Sequence, residues 1–266
     1  MDNRKIGVFD SGIGGLTVVR ALFDALPNEQ LIYFGDSLHL PYGNRPKADI
    51  TRLTTRLIKF LKEKDVKAIV VACNTASSLC IDELLHEAAG IPVIDVLTPG
   101  TEAAAKAANA GVGVIATNNA VESGAHKRII HRVNPMIEVY ARGCPLLVPM
   151  IEEGLCETEM AYAAARYYLS KFDENKIDCL VLGCTHYPLI INALRAATLA
   201  PLFDPAIYAA KALKACLTDM NRLAGYDMHD RHHEFFTSGD PREFDQHVLR
   251  ILGLHAASER ALSDLP

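Results

Sequence analysis

Residues 68–76 read Ala-Ile-Val-Val-Ala-Cys73-Asn74-Thr75-Ala76, and residues 179–187 read Cys-Leu-Val-Leu-Gly-Cys184-Thr185-His186-Tyr187. Each is a short apolar run that ends at a cysteine and is followed by residues that favour a helix N-cap. An apolar run of this length between polar residues fits a strand buried on both faces, as in a parallel sheet. The cysteine then stands at the strand's carboxyl end, where open α/β sheets place their ligands. Two such ends predict one site built from two halves.

Working outward, Ile6-Gly7-Val8-Phe9 predicts a first buried strand, and Asp10-Ser11-Gly12-Ile13-Gly14-Gly15 a glycine-rich turn. A helix follows with its apolar stripe at Leu16, Val19, Phe23 and Leu26, closed by Pro27. Leu31–Phe34 is the next strand, and Pro41-Tyr42-Gly43 makes a rigid loop that exposes backbone amides. Pro46 suits the first turn of a helix whose stripe is Ile50, Leu53, Leu57 and Leu61. After Cys73, Asn74 and Thr75 open a helix expected to turn Leu79, Leu84 and Leu85 inward, and Val93–Val96 is a fourth strand. This alternation implies a doubly wound parallel sheet.

Thr98-Pro99-Gly100 breaks the pattern, an alanine-rich helix follows, and then the chain begins again. Gly113-Val114-Ile115-Ala116-Thr117 lines up with Gly7-Val8-Phe9-Asp10-Ser11 at an offset of 106, and Cys184 with Cys73 at an offset of 111. Two matches at nearly one offset indicate an internal duplication. The second round continues with a strand at 136–141, a loop or short helix at 144–149, a helix at 159–171 and the strand ending at Cys184. A helix near 206–223, the stretch Glu234-Phe235-Phe236-Thr237-Ser238-Gly239-Asp240, a helix near 241–252 and a frayed last dozen residues complete the chain.

The composition bounds the function. The chain has 266 residues, 50% of them apolar and 22% charged, so a sizeable core is available and disorder is excluded. A net charge of -5 without a basic cluster argues against nucleic acid as a partner. No apolar segment approaches the length of a membrane span and the first apolar run is too short for a signal peptide, so a cytoplasmic protein is expected. Seven cysteines with no CxxC pair read as thiols rather than as a disulfide framework.

If the two halves face each other, Cys73 and Cys184 approach one bound molecule from opposite sides. That arrangement removes a proton from one face of a carbon and delivers another to the opposite face, which inverts a stereocentre. A free thiol titrates near pH 8.5 and a helix N-terminus lowers that value, so one cysteine can be thiolate while the other is protonated. A single positioned base contributes ~10²- to 10⁴-fold, so other donors must stabilise the charge on a weakly acidic α-carbon. Ser11, Asn74, Thr75, Thr185 and the amides after each strand are the available supply. No lysine lies in these motifs, which argues against a Schiff base and pyridoxal phosphate.

At this point a resemblance enters. Phe-Asp10-Ser11-Gly-Ile-Gly-Gly-Leu, Tyr-Phe-Gly-Asp36-Ser, Pro-Tyr42-Gly43, Ala-Cys73-Asn74-Thr75-Ala, Cys144-Pro-Leu-Leu-Val-Pro-Met-Ile-Glu152, Leu-Gly-Cys184-Thr185-His186-Tyr-Pro-Leu and Phe-Phe-Thr237-Ser238-Gly239-Asp240 together resemble the cofactor-independent glutamate racemases of bacteria. The likeness spans nearly the whole chain in family order. It implies two α/β domains related by a pseudo-twofold with the site in the cleft between them. Residues 1–97 with a returning tail of 208–266 would form the first domain, and 98–207 the second. It also implies catalysis by Cys73, facing D-glutamate, and Cys184, facing L-glutamate, assisted by Asp10, His186 and Glu152. Substrate contacts carry over to Asp10, Ser11, Tyr42, Gly43, Asn74, Thr75, Thr117, Thr185 and His186. No cofactor and no metal are implied; glutamate is the partner, D-glutamate supply for peptidoglycan the role, and a homodimer an assembly left open. The chain departs from the family at Asn118-Asn119-Ala120, where a second threonine is common, and at Asp95-Val96-Leu97-Thr98 and Asp204-Pro205.

Simpler readings stand beside these. Free cysteine is commonly buried core, which is the reading for Cys80, Cys144, Cys156, Cys179 and Cys216. Cys184 and His186 could form a metal half-site, but no second ligand pair has suitable spacing. Gly12, Gly14 and Gly15 miss the dinucleotide spacing. His229, His232 and His233 read as solvated loop residues, and Glu152 as a surface acid beside Glu153. The functional alternatives are a racemase for another small acid such as aspartate, a two-lobed binding protein without chemistry, and a redox dithiol protein.

Overall fold

The computed structural model describes residues 1–172, 176–225 and 232–263. In chain order the elements are β1 (Ile6–Asp10), α1 (Leu16–Ala25), β2 (Leu31–Gly35), α2 (Lys47–Glu63), β3 (Ala68–Val71), α3 (Asn74–Glu87), β4 (Val93–Asp95) and α4 (Leu97–Ala107). The second round is β5 (Gly111–Ala116), α5 (Asn118–Glu122), α6 (Ala125–Val133), β6 (Glu138–Gly143), α7 (Leu147–Glu152), α8 (Glu159–Leu169), β7 (Cys179–Gly183), α9 (Ile191–Ala197) and β8 (Leu202–Phe203). The remainder is α10 (Pro205–Asp219), β9 (Glu234–Thr237), α11 (Pro241–Leu252) and β10 (Glu259–Arg260).

Two parallel sheets result. The first has the order β10-β9-β2-β1-β3-β4 and the second β6-β5-β7-β8, so the segment β2-β1-β3-β4 recurs as β6-β5-β7-β8. Register carries the same repeat: Phe9 pairs with Val71, and Ile115 with Leu182, positions related by the two sequence offsets. The duplication read from sequence is thus a duplication of strand pairing.

Alternation along the strands feeds two cores in the first half. Ile6, Val8, Tyr33 and Val70 turn toward α1, α10 and α11, whereas Phe9, Ile32, Phe34 and Val71 turn toward α2 and α3. The second half repeats this, with Ile115, Leu180 and Leu182 facing α7, α8 and α9 on one side, and Val112, Val114 and Val181 facing α4 and α6 on the other. Helices on both faces explain why the inner strands β3, β5 and β7 are apolar throughout rather than alternating.

Several expectations need correction. Thr98-Pro99-Gly100 is no break but the first turn of α4, where proline is tolerated because its missing N–H would have no partner. Asp95 Oδ1 accepts from the Thr98 N–H at 2.7 Å there. Asp204 caps α10 by accepting from the Ala206 N–H at 3.0 Å, with Pro205 at the first helical position. Leu85 is 48% exposed on the outer face of α3 instead of turned inward. The tail is not frayed through residue 263: β10 pairs with β9, and Arg260 Nε donates to the Gly239 carbonyl at 2.8 Å. His233 is not simply solvated, since its Nδ1 accepts from the Leu31 N–H at 3.2 Å; His229 lies outside the described residues.

Candidate active site

Both cysteines stand just beyond strands of matching position, Cys73 two residues after β3 and Cys184 one residue after β7, and both are buried. They border a single cavity between the halves. Ser11, Tyr42, Gly43, Asn74, Thr75, Thr117, Thr185 and His186, the positions to which the resemblance carried substrate contacts, border it too; Leu40, Pro41 and Val148 complete its wall. Asp10 and Glu152 stand behind this lining. The enclosed space is ≈ 20 Å³, room for about one water molecule.

Cys73 is the N-cap residue of α3, and its Sγ lies 3.7 Å from Ser11 Oγ. Burial pushes its thiol well above the ordinary range, and the negative charge of Asp10 pushes the same way; the Ala76 N–H and Ser11 oppose both. Asp10 is fully buried at the end of β1, where Oδ2 accepts from the N–H groups of Gly12 and Gly15 at 3.1 and 3.0 Å. Its Oδ1 has no hydrogen-bond partner among the described residues.

Cys184 has a different neighbour. His186 Nδ1 lies 3.7 Å from Cys184 Sγ, and His186 Nε2 lies 2.5 Å from Glu152 Oε1. Burial alone would lower the His186 pKa, but the hydrogen bonds to Cys184 and Glu152 and the charge of both outweigh it and raise it well above the usual value. Glu152 is therefore a partner of the site and not an idle surface acid. The imidazole reaches the other half through Gly14: a Cβ there would stand 2.3 Å from His186 Nδ1.

Donors are left free around the cavity. The side-chain amide of buried Asn74 has no partner at either end among the described residues, which in a native site calls for a ligand. The first N–H groups of α3 lack intrahelical acceptors and favour an anion such as a carboxylate. Tyr42, by contrast, directs its hydroxyl away: it donates to Asp36 Oδ2 at 2.5 Å. Asp36 Oδ1 takes the His39 ring at 2.7 Å and the Ser238 hydroxyl at 2.6 Å, which ties the returning β9 segment to the loop over the site.

Three cross-half contacts were not anticipated. Thr17 Oγ1 lies 2.9 Å from the carbonyl oxygens of both Gly14 and Thr185 and can donate its one proton to either, drawing the Cys184 segment against α1. Thr75 and Thr117 hydroxyls meet at 2.9 Å. Asn119 Nδ2 donates to the carbonyls of Tyr42 and Arg45 at 3.1 and 2.8 Å. Ala120, where a threonine was expected, is buried in the apolar core of the second half and does not border the cavity.

Two matched thiols on one cavity, beside unpaired donors for a carboxylate, can exchange protons at an acidified carbon. The class that this fold and site define is an α/β racemase: residues 6–213 match the family described as Asp/Glu/Hydantoin racemase, and the chain belongs to it. Within that class it is 43% identical over 257 residues to "Glutamate racemase 2" of Caldanaerobacter subterraneus subsp. tengcongensis, covering 95% of each chain. It is 42% identical to the glutamate racemase of Geobacter metallireducens, over 94% of this chain and 93% of that one. Among solved structures it resembles the glutamate racemase from Francisella tularensis in complex with D-glutamate, with a TM-score of 0.93, 40% identity and 99% of both chains covered.

Proposed function

We propose that the chain is a glutamate racemase, interconverting L- and D-glutamate through proton transfer at the α-carbon by two thiols. The observation that carries this reading is the pair Cys73 and Cys184, at equivalent strand ends of a duplicated sheet and bordering one cavity.

In one direction the Cys73 thiolate first takes the α-proton of D-glutamate, and the Cys184 thiol then delivers its own to the opposite face and is left as thiolate; the reverse direction exchanges their roles. Between the two transfers negative charge sits in the α-carboxylate. Asn74 and the open N–H groups of α3 are the donors that support this charge, already oriented before reaction. Beside Cys184, a protonated His186 held by Glu152 sets a hydrogen-bonding imidazole against the sulfur. Beside Cys73, burial and the Asp10 charge favour the thiol, the form that donates a proton when L-glutamate is the substrate.

On the same reading the enzyme works in the cytoplasm, supplies D-glutamate for peptidoglycan, and is checked for a homodimer by sedimentation. Residues 1–97 with 208–266 act as one body and 98–207 as the other, which the pairing of β9 with β2 supports.

The test is circular dichroism of reduced, purified protein with L-glutamate and, separately, L-aspartate, without added cofactor. Decay of the glutamate signal alone to zero is the expected result. A folded, reduced protein that moves neither signal would overturn the proposal.

A further inference from the structure

Asn119 belongs to the second half, on the short helix after β5, yet both of its side-chain hydrogen bonds go to the first half. Its acceptors are the backbone carbonyls of Tyr42 and Arg45, in the second part of a loop whose Leu40, Pro41, Tyr42 and Gly43 border the cavity. The neighbouring seam is equally tight. Thr75 and Thr117 share a hydrogen bond across it, and a Cβ on Gly43 would stand 2.8 Å from Thr117 Cβ. Behind this seam the free space is ≈ 20 Å³, several times less than an amino acid occupies, and both thiols are buried. Substrate therefore enters only when the seam widens, and reaction in a dry, ordered site needs it to close again.

We propose that Asn119 is a positioning residue, a latch whose side-chain amide holds the Tyr42–Arg45 loop of one half against the other and sets how often the cavity stands open. The amide is suited to this. One NH₂ group carries two donors, and two backbone carbonyls accept them, so the contact forms or breaks as a unit without disturbing any buried charge. A threonine or serine hydroxyl, with its single proton, could serve only one of the two acceptors.

The proposal is tested on the whole protein with Asn119→Ala and Asn119→Asp. The first removes the donors; the second keeps the shape but turns a carboxylate oxygen toward two carbonyls. The primary measurement is the alkylation rate of Cys73 and Cys184 by iodoacetamide, resolved by peptide mass spectrometry. Loss of two ordinary hydrogen bonds corresponds to a rise on the order of tenfold at both thiols for Asn119→Ala, with Asn119→Asp faster still. Because this measurement needs no substrate, it stands even if the glutamate reading fails. The second measurement does rest on that reading: KM for both enantiomers rises while kcat changes less, and Asn119→Ser recovers part of the loss. Alkylation of both thiols within about twofold of the parent rate, in variants whose melting temperature is unchanged, overturns the proposal. So does acceleration matched at the distant Cys216, which would report general loosening.

Discussion

Thr75 and His186 occupy equivalent positions, two residues beyond Cys73 and Cys184, but only His186 turns toward its thiol, with Nδ1 3.7 Å from Cys184 Sγ. Thr75 is directed to Thr117 instead. Cys73 faces Ser11 and feels Asp10. A duplicated scaffold thus carries two different proton-transfer environments, which suits a reaction whose two faces are not chemically identical.

His186→Gln is accordingly expected to impair the step at Cys184 in particular. The equilibrium constant between enantiomers is one, so kcat/KM must fall equally in both directions, by roughly 10²-fold for loss of an assisting group. The isotope effect separates the steps. With α-deuterated L-glutamate it should grow, because removal of that deuterium by Cys184 becomes more limiting, and with α-deuterated D-glutamate it should shrink. Equal isotope effects in the variant would show that His186 does not act on Cys184.

Replacing either Cys73 or Cys184 by alanine should reduce racemisation by roughly 10³-fold or more in both directions while the far-ultraviolet spectrum is retained. In deuterium oxide the parent enzyme should place deuterium on the inverted product and leave protium in recovered substrate, since each face has its own thiol. Early deuterium in recovered substrate would point to one base serving both faces.

Tyr42 borders the cavity with its ring and backbone while its hydroxyl serves Asp36. Tyr42→Phe should therefore separate stability from binding. Removing one donor from a buried, charged acceptor costs about 1.5–3 kcal/mol in urea unfolding, whereas KM for glutamate should move little. A large rise in KM at unchanged stability would mean that the hydroxyl leaves Asp36 to contact substrate.

Much of this site was legible in the chain because its markers are local. The strand ending at Cys73 or Cys184 is an apolar run of fixed length, and its repetition brings both thiols to matching ends before any contact is known. Thr17 and Asn119 were not legible, because each acts across the halves on a carbonyl 168 or 77 residues away and no periodicity marks such a partner. Leu85 misled for the opposite reason: its spacing suits the inner stripe of α3, but that face is already filled by Leu84 and Cys80. Thr98-Pro99-Gly100 read as a turn because proline and glycine usually punctuate. Here Gly100 is required by the approach of Pro205, whose Cα would lie 2.5 Å from a Cβ at that position.

His126 had no role in the sequence reading, yet it bears on how the protein responds to acid. It is buried on α6 beside Gly183, the residue before Cys184, and neither ring nitrogen has a hydrogen-bond partner among the described residues. Burial depresses its pKa from 6.5 to about 4. Between these values the unfolded chain binds a proton that the native protein refuses, so stability is greatest above pH 6.5 and falls as pH drops toward 4. At pH 5 the loss attributable to this one residue is about 2 kcal/mol relative to pH 7. His126→Phe, which keeps a ring without a titrating group, should lose correspondingly less stability over that interval in urea titrations. Parallel losses in parent and variant would exclude His126 as the cause and shift attention to the carboxylates paired in the native state.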